Sequence, residues 1–339
     1  MKSKRTEGWS RRDFMRGLTL AGTADLVGLC PGRADADPPP ETTRLRLAEI
    51  ANICIAPQLV AKELLHGEGF TDVQYVKAEA DPHELFLSGE VTIGLSFIPW
   101  ALLAIDADQP FVLLAGSHIG CTDLVSRNRI RSTRELKGKT VAVPAVGDRA
   151  FISMFVAYVG LDPQKDINWK VIQPYGPDYM RLLAEGKIDA FMSGPPFSQE
   201  LREKKIGHVL VNTTTDKPWS QYFCCMVVST REFVRKYPVA TKRALRAILK
   251  AADVCALQPN RVARLVADRG LTPPGSDYTL QMLKEIPFGK WREYSPEDTV
   301  RFYALWMREV GLIKSTPQKI IAQGTDWRFL NELKKELKG

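Results

Sequence analysis

Short apolar runs alternate with amphipathic helical segments from Thr43 onward, a pattern typical of an α/β fold. The alternation runs through two cycles, the second of which starts at Thr140. It predicts strands at 45–48, 73–76, 91–95, 111–115, 140–143, 169–172, 188–192, 208–211 and 222–228, and helices at 57–66, 82–87, 150–159 and 179–184. From Arg231 onward the pattern is almost wholly helical, and we expect these helices to buttress one part of the α/β fold.

Two stretches of the chain look like copies of one another. Each has a helix, a glycine that ends it, a buried strand, and a serine at the strand's carboxyl end. The matched residues all differ by 97 positions: Asp81/Asp178, Gly89/Gly186, Val91/Ile188, Ser96/Ser193 and Pro99/Pro196. The repeat predicts two related α/β lobes, with ligand-binding loops at the carboxyl ends of their strands.

The first 36 residues have the features of an export signal. Residues 10–16 read Ser-Arg-Arg-Asp-Phe-Met-Arg, the twin-arginine pattern; a weakly apolar run and Ala34-Asp35-Ala36, which suits a signal peptidase, follow. We expect 1–36 to be a twin-arginine signal peptide, 37–42 a solvated linker, and the product to be periplasmic. The twin-arginine translocase is then a partner during export.

Composition and motifs narrow the classes of function. The 339 residues carry 47 Lys and Arg against 39 Asp and Glu, without the basic, aromatic-interleaved stripe that nucleic acid requires. The sequence has no P-loop, no G-x-S-x-G elbow, no G-x-G-x-x-G after a strand, and no histidine pair at helical metal spacing. We therefore expect a binding protein rather than an enzyme, with no cofactor, metal or nucleic acid. The cysteines outside the signal, five in number, are interpreted as small apolar residues.

Two segments carry a resemblance to a known family. They are the Leu-Lys-Gly-Lys run at 136–139 before a strand, and Leu-x-x-Gly-x-Ile-Asp-Ala at 183–190. With the signal and the two lobes, the chain resembles the substrate-binding components of ABC importers in the nitrate/sulfonate/taurine group, which share their fold with thiamine-pyrimidine precursor proteins. The resemblance implies a two-lobed type II periplasmic-binding-protein fold with a cleft between lobes and a helical C-terminal segment. It also implies a monomer that delivers a small-molecule ligand to an ABC permease in the inner membrane.

The lobes of such a fold are joined by two hinge strands, which here would be about 123–127 and 223–228. Lobe 1 is then 43–126 with 224–339, and lobe 2 is 127–223. Closure about the hinge would capture the ligand.

The candidate ligand contacts lie at the carboxyl ends of predicted strands and near the return crossover: Asn52, Ser96, Trp100, Ser117, His118, Gly147, Asp148, Arg149, Ser193, Trp219 and Tyr222. Backbone N–H groups near Asn52 and Gly147 lie at helix starts, where an anion is favoured, and Arg149 either grips the anion or pairs with Asp148. Ser96 and Ser193 are helix caps, ligand contacts or both. Trp100 is either a core aromatic or a stacking wall, and family precedent alone places Trp219 and Tyr222 by the cleft.

Three alternatives stay open. The ligand is a sulfonate- or carboxylate-like anion or an aromatic compound, or else a neutral pyrimidine. Cys224-Cys225 partly matches the cysteine cluster of the fold-sharing thiamine-pyrimidine synthases, which are enzymes. A binding lobe that feeds a sensor would have the same sequence features.

Overall fold

The computed structural model describes residues 37–50, 52–77, 82–144, 146–173, 176–195, 197–271 and 278–337. The predicted signal peptide, Asp81 and Pro196 lie outside these residues. The strands β1 to β10 are Arg44–Glu49, Asp72–Lys77, Ile93–Phe97, Phe111–Ile119, Asp123–Ser126, Lys139–Val143, Ile167–Val171, Ala190–Ser193, His208–Asn212 and Phe223–Thr230. The helices α1 to α14 are Ala56–Val60, Lys62–Gly67, Pro82–Leu87, Ile98–Asp106, Val146–Tyr158, Asp178–Ala184, Phe197–Glu203, Arg231–Lys236, Pro238–Leu257, Pro259–Asp268, Tyr278–Glu285, Pro296–Glu309, Pro317–Gly324 and Arg328–Glu336.

The strands of the first lobe lie in the order β2-β1-β3-β10-β4. β1 and β2 are parallel, while β10 pairs antiparallel with both β3 and β4. The two groups are joined by the Thr92 N–H, which donates to the Arg46 carbonyl at 2.9 Å. Every residue of β4 is buried, as expected for a strand covered on both faces.

The second lobe repeats this arrangement with the order β7-β6-β8-β5-β9. β6 is parallel to β7 and β8, and β5 is antiparallel to β8 and β9. The Asp189 N–H donates to the Thr140 carbonyl at 2.8 Å, and Asp189 lies 97 positions after Thr92. Gly89 and Gly186 both adopt left-handed φ values, 76° and 75°. The repeat read from the sequence therefore corresponds to a structural repeat in the described residues.

The chain crosses between the two sheets at residues 120–122 and returns between Asn212 and Phe223. The segment 123–127 was expected to be a hinge strand between the lobes. In the structure β5 instead pairs along its length with β8 and β9, so it belongs to the second sheet. The outgoing crossover turns sharply at Gly120 (φ 68°) and Cys121 (φ 84°). A left-handed φ is uncommon for a residue with a side chain.

Threonines tie the outgoing crossover to the start of the return segment. The Cys121 N–H donates to Thr214 Oγ1 at 3.0 Å, and the Thr122 N–H donates to Thr213 Oγ1 at 3.0 Å. In return, the Thr213 N–H and hydroxyl both donate to the Thr122 carbonyl, at 3.0 and 2.7 Å. The two crossing segments therefore form one hydrogen-bonded unit.

The C-terminal helices pack against the first lobe and reach the second. Helix α9 lies on α1 and α2, with its buried face formed mainly by Ala, Leu and Ile. Helix α12 contacts α4 in the first lobe and α5 in the second, and Tyr303 on α12 is fully buried. Burying a large apolar side chain contributes about 1.5–3 kcal/mol, so these helices stabilise the fold substantially.

Polar groups also hold helix α9, near its middle and at its start. Glu68 is buried, and its carboxylate lies 2.7 Å from Arg246 Nη1 and 3.6 Å from Lys250 Nζ. The Glu41 carboxylate accepts hydrogen bonds from the N–H groups of Val239 and Ala240 at the start of α9. Glu41 belongs to the predicted solvated linker, so the end of that linker is anchored on the first lobe.

The described part of the chain contains no helix with the length and apolar character needed to cross a bilayer.

Candidate functional site

The two lobes touch where helices α4 and α5 meet. The Trp100 indole of α4 lies directly against Gly147 in the first turn of α5, so that a Cβ at position 147 would overlap the indole nitrogen. Beside it, the rings of Phe97 and Phe151 meet edge to face with centroids 5.0 Å apart. The predicted candidates Trp100 and Gly147 are therefore brought together, one from each lobe.

A second contact between the lobes is polar and joins α7 to α11. Gln199 Nε2 and Arg202 Nη2 donate to the Glu285 carboxylate at 2.9 and 2.7 Å, and the Tyr278 hydroxyl donates to Glu203. Arg202 also lies 3.2 Å from the Asp123 carboxylate, and burial raises the pKa of Asp123 to about 6. Arg202 and Glu285 are both more than a third exposed, so this ion pair contributes at most about 1 kcal/mol.

The structure places Asn52 at the entrance of a short 3-10 helix, Ile53–Ile55. Its side chain is exposed at the surface and accepts a hydrogen bond from the Cys54 N–H at 2.9 Å. The expected free N–H groups after β1 are thus partly used by a local cap. Ser96 lies in β3 and is buried, with its hydroxyl donating to the Phe97 carbonyl at 3.3 Å.

Ser193 ends β8 and is fully buried, with its hydroxyl 3.1 Å from the hydroxyl of Ser198 on α7. Ser117 and His118 lie in β4 and are also buried. Within the described residues the Ser117 hydroxyl has no hydrogen-bond partner, whereas the two ring nitrogens of His118 lie 3.0 and 3.1 Å from the carbonyls of Cys54 and Ile119. Burial lowers the pKa of His118 to about 4, so the ring is neutral at pH 7.

Asp148 and Arg149 lie half-buried in the first turn of α5. The Arg149 guanidinium stacks over the Trp169 indole of β7 at 5.1 Å from the ring centroid. This contact involves the second lobe only, and in the part of the chain that the structure describes the buried Arg149 Nε has no hydrogen-bond partner. The Arg149 guanidinium is therefore packed against an aromatic ring rather than fully exposed to solvent.

Trp219 was expected to line the cleft, but the structure places it in the core. Its ring is buried among aromatic rings of α5 and α12, at 4.5 Å from Phe155 and 5.5 Å from Phe302 between centroids, and acts as core. Tyr222 is partly accessible and stacks on Phe302 at 3.9 Å. The sequence around Trp219 and Tyr222 does not distinguish a core aromatic from an accessible one, since their aromatic partners lie 64 to 83 positions away.

Sequence reasoning missed a cluster of thiols beneath the contact between the lobes. Cys54 Sγ lies 3.1 Å from Cys121 Sγ, which lies 3.4 Å from Cys224 Sγ. The contact with Cys121 and burial hold the pKa of the Cys54 thiol well above its usual range. Among the described residues, Cys54, His118 and Cys121 could together hold a metal ion. No short motif signals this set, because Cys54 and Cys121 are 67 positions apart.

The model of the NMT1-like family matches residues 38–269, which is more than half of the chain. The chain belongs to the NMT1-like family. Its match covers both sheets, both crossovers and the first three C-terminal helices, α8 to α10.

Solved structures share this fold along most of the chain. The periplasmic nitrate-binding protein NrtA from Synechocystis PCC 6803 is 16% identical with a TM-score of 0.73, covering 88% of this chain and 90% of that one. A putative periplasmic sulfonate-binding protein, SsuA from Methylobacillus flagellatus, is 20% identical with a TM-score of 0.64, covering 88% and 96%. The expected periplasmic-binding-protein fold and family resemblance are confirmed.

One curated relative is similar over a shorter stretch. The nitrate import ATP-binding protein NrtC of Synechocystis is 27% identical over 112 residues, or 33% of this chain. The match spans only 16% of that protein's length.

Proposed function

We propose that this member of the NMT1-like family is the periplasmic solute-binding component of an ABC importer, and that it releases its solute unchanged. The observation that carries the proposal is the contact between Trp100 and Gly147. Two lobes of the same strand order meet there through helices that follow the carboxyl ends of β3 and β6, which is where open α/β sheets bind ligands. Rotation about the paired crossing segments would open and close this contact.

The ligand that fits best is a small anion with an apolar or aromatic part. The N-terminal turn of α5 offers backbone N–H groups, and its partial positive charge favours an anion. Arg149 adds a buried Nε donor that has no partner within the described residues, and a buried unpaired donor costs about 1–3 kcal/mol. Trp100 supplies a flat apolar wall from the other lobe. A sulfonate or carboxylate would therefore satisfy both the helix and the arginine.

The ligand experiment is a thermal-shift screen of the full chain against sulfonates, aromatic carboxylates, nitrate and pyrimidines, followed by calorimetry. We expect an anion to stabilise the protein by about 2.7 kcal/mol at one hundred times its Kd. Arg149→Ala should weaken anion binding at least ~10-fold, whereas Arg181→Ala should not, since Arg181 is exposed and paired with Asp178 and Glu185. Equal losses in both variants would remove Arg149 from the site.

The proposed contact of the ligand with the Trp100 ring is tested with a separate pair of variants. Trp100→Ala should weaken binding at least ~10-fold, while Trp306→Ala should leave affinity unchanged because Trp306 contacts Tyr158 at the far end of α5. The compound recovered from the protein should be chemically unchanged by mass spectrometry. Conversion of the bound compound, or no binding by any of the four classes, would refute the proposed function.

We also propose export by the twin-arginine pathway and delivery to an inner-membrane permease driven by an ATPase. The support is the Ser-Arg-Arg-Asp-Phe-Met-Arg run at 10–16 and the periplasmic location of the similar nitrate- and sulfonate-binding proteins. Replacing Arg11 and Arg12 together by lysine should abolish periplasmic accumulation of the full chain. Unchanged accumulation would show that another route is used.

A further inference from the structure

Three chain segments bring thiols and an imidazole to one point beneath the contact between the lobes. Cys54 lies in the 3-10 helix after β1, His118 and Cys121 lie at the end of β4 and in the outgoing crossover, and Cys224 lies in β10. The ligand atoms of Cys54, His118 and Cys121 all lie within 4.8 Å of one another. Cys224 Sγ adds a third sulfur 3.4 Å from that of Cys121.

The distances within the Cys54, His118 and Cys121 group suit a tetrahedral ion with little rearrangement, whereas Cys224 Sγ lies close to Cys121 but outside this group and would have to move towards the other two ligands. A Zn–S bond of about 2.3 Å and tetrahedral angles separate two ligand sulfurs by about 3.8 Å. The Cys54–Cys121 and Cys121–Cys224 sulfur pairs lie at 3.1 and 3.4 Å, so each needs an outward shift of well under ~1 Å. All of these cysteines are free thiols.

His118 contributes the imidazole of this cluster, and one of its ring nitrogens would have to exchange its carbonyl contact for the ion. Its ring is fully buried, and each ring nitrogen faces a carbonyl oxygen, that of Cys54 or that of Ile119. A neutral imidazole has one N–H, so it can donate to only one of the two carbonyls, and the other nitrogen presents its lone pair. Histidines that bind metal commonly donate the second ring N–H to a backbone carbonyl in this way.

We propose that Cys54, His118 and Cys121 bind one Zn²⁺ ion, and that a shift of the Cys224 side chain towards them completes the site. Three thiolates and an imidazole form a closed ligand set typical of structural zinc sites. The ion would connect the first lobe, the outgoing crossover and β10, and it would hold Cys121 in its left-handed conformation. This inference does not depend on the identity of the transported solute.

The test uses the full chain purified under reducing conditions, stripped with a chelator and titrated with Zn²⁺. We expect one equivalent of bound zinc by elemental analysis, a rise in Tm, and thiolate-to-metal charge-transfer absorption when Co²⁺ replaces Zn²⁺. Cys121→Ser should lower zinc affinity at least ~100-fold. The matched control is Cys255→Ser, because Cys255 is also a buried free cysteine but lies in α9, outside the cluster.

Several outcomes would overturn the proposal. Zinc binding below one equivalent, a Co²⁺ complex without thiolate absorption, or equal loss of binding in both serine variants would each do so. Formation of a Cys54–Cys121 disulfide in the native protein, seen as two fewer titratable thiols, would show that the cluster serves oxidation rather than zinc. If Cys121→Ser does not fold, zinc binding by the cluster is tested instead with Cys224→Ser and with the Co²⁺ spectrum of the unaltered chain.

Discussion

Gly147→Ala should shift the molecule away from the state in which its lobes touch. The added methyl group would overlap the indole of Trp100, and each partner is fixed by a helix of a different lobe. The methyl can be accommodated only if the indole leaves or the lobes separate. Gly147 has an ordinary negative φ, so alanine brings no backbone strain of its own.

The size of the effect follows from two opposing terms. Overpacking a close contact costs about 1–3 kcal/mol, and here the cost applies only to the closed state. Alanine in a helix is about 0.5–1 kcal/mol better than glycine, but this gain is the same in the open and closed states. The ratio of closed to open molecules should therefore fall about 5- to 150-fold, without loss of thermal stability.

Small-angle scattering of the ligand-free chain measures this shift as a larger radius of gyration for Gly147→Ala. The double variant Trp100→Ala/Gly147→Ala should return to the value of Trp100→Ala alone, since the overlapping indole is gone. Gly67→Ala is the matched control, because Gly67 also lies in a helix and a Cβ there meets nothing within 4 Å. A radius of gyration for Gly147→Ala equal to that of the unaltered chain would refute this account of closure.

Three further predictions concern stability. Glu68→Gln should lower the free energy of unfolding, measured in urea, by about 3 kcal/mol, because it leaves buried cations unpaired. Glu63 is exposed, and Glu63→Gln should change the free energy of unfolding by less than ~0.5 kcal/mol. Equal effects of the two substitutions would contradict this prediction. Burial acts to raise the pKa of Glu41, but its bonds from backbone N–H groups outweigh this and lower it. Glu41→Ala should therefore cost about 1 kcal/mol above pH 4.5, and the loss should vanish in acid as the carboxylate protonates; a gap that persists at pH 2 would contradict this. Trp219→Ala should lower the free energy of unfolding by about 3–5 kcal/mol, measured by thermal unfolding. An unchanged Tm would show that Trp219 lines the cleft rather than the core.

The local pattern of apolar and polar residues was sufficient to predict most of the helices and strands. Helix α3 has the bounds expected from the sequence, 82–87, and β1 and β2 differ from expectation by one residue at each end. Helix α1 ends at Val60 and α2 begins at Lys62, so the single helix expected at 57–66 is interrupted at Ala61, which apolar periodicity does not reveal. Helices α13 and α14 were expected only as part of a helical tail, without bounds of their own.

The site was less accessible to sequence reasoning because its contacts are between lobes. The position of Trp100 at a strand's carboxyl end was sufficient to make it a candidate, but its partner Gly147 became visible only with both lobes in place. The 97-residue repeat predicted two lobes, yet it does not report which aromatic residues the C-terminal helices cover, and Trp219 was misplaced for that reason. The thiol cluster joins residues from three distant segments, and no spacing rule applies to it.

The hydrogen bonds that join Thr122 to Thr213 have a consequence for how a solute enters. Because both connections between the sheets are fastened at this one place, the lobes cannot slide or shear independently past each other. Their relative movement reduces to a single angle about one line, and the width of the entrance grows in proportion to that angle. A larger solute would therefore be admitted by a wider rotation about the same axis.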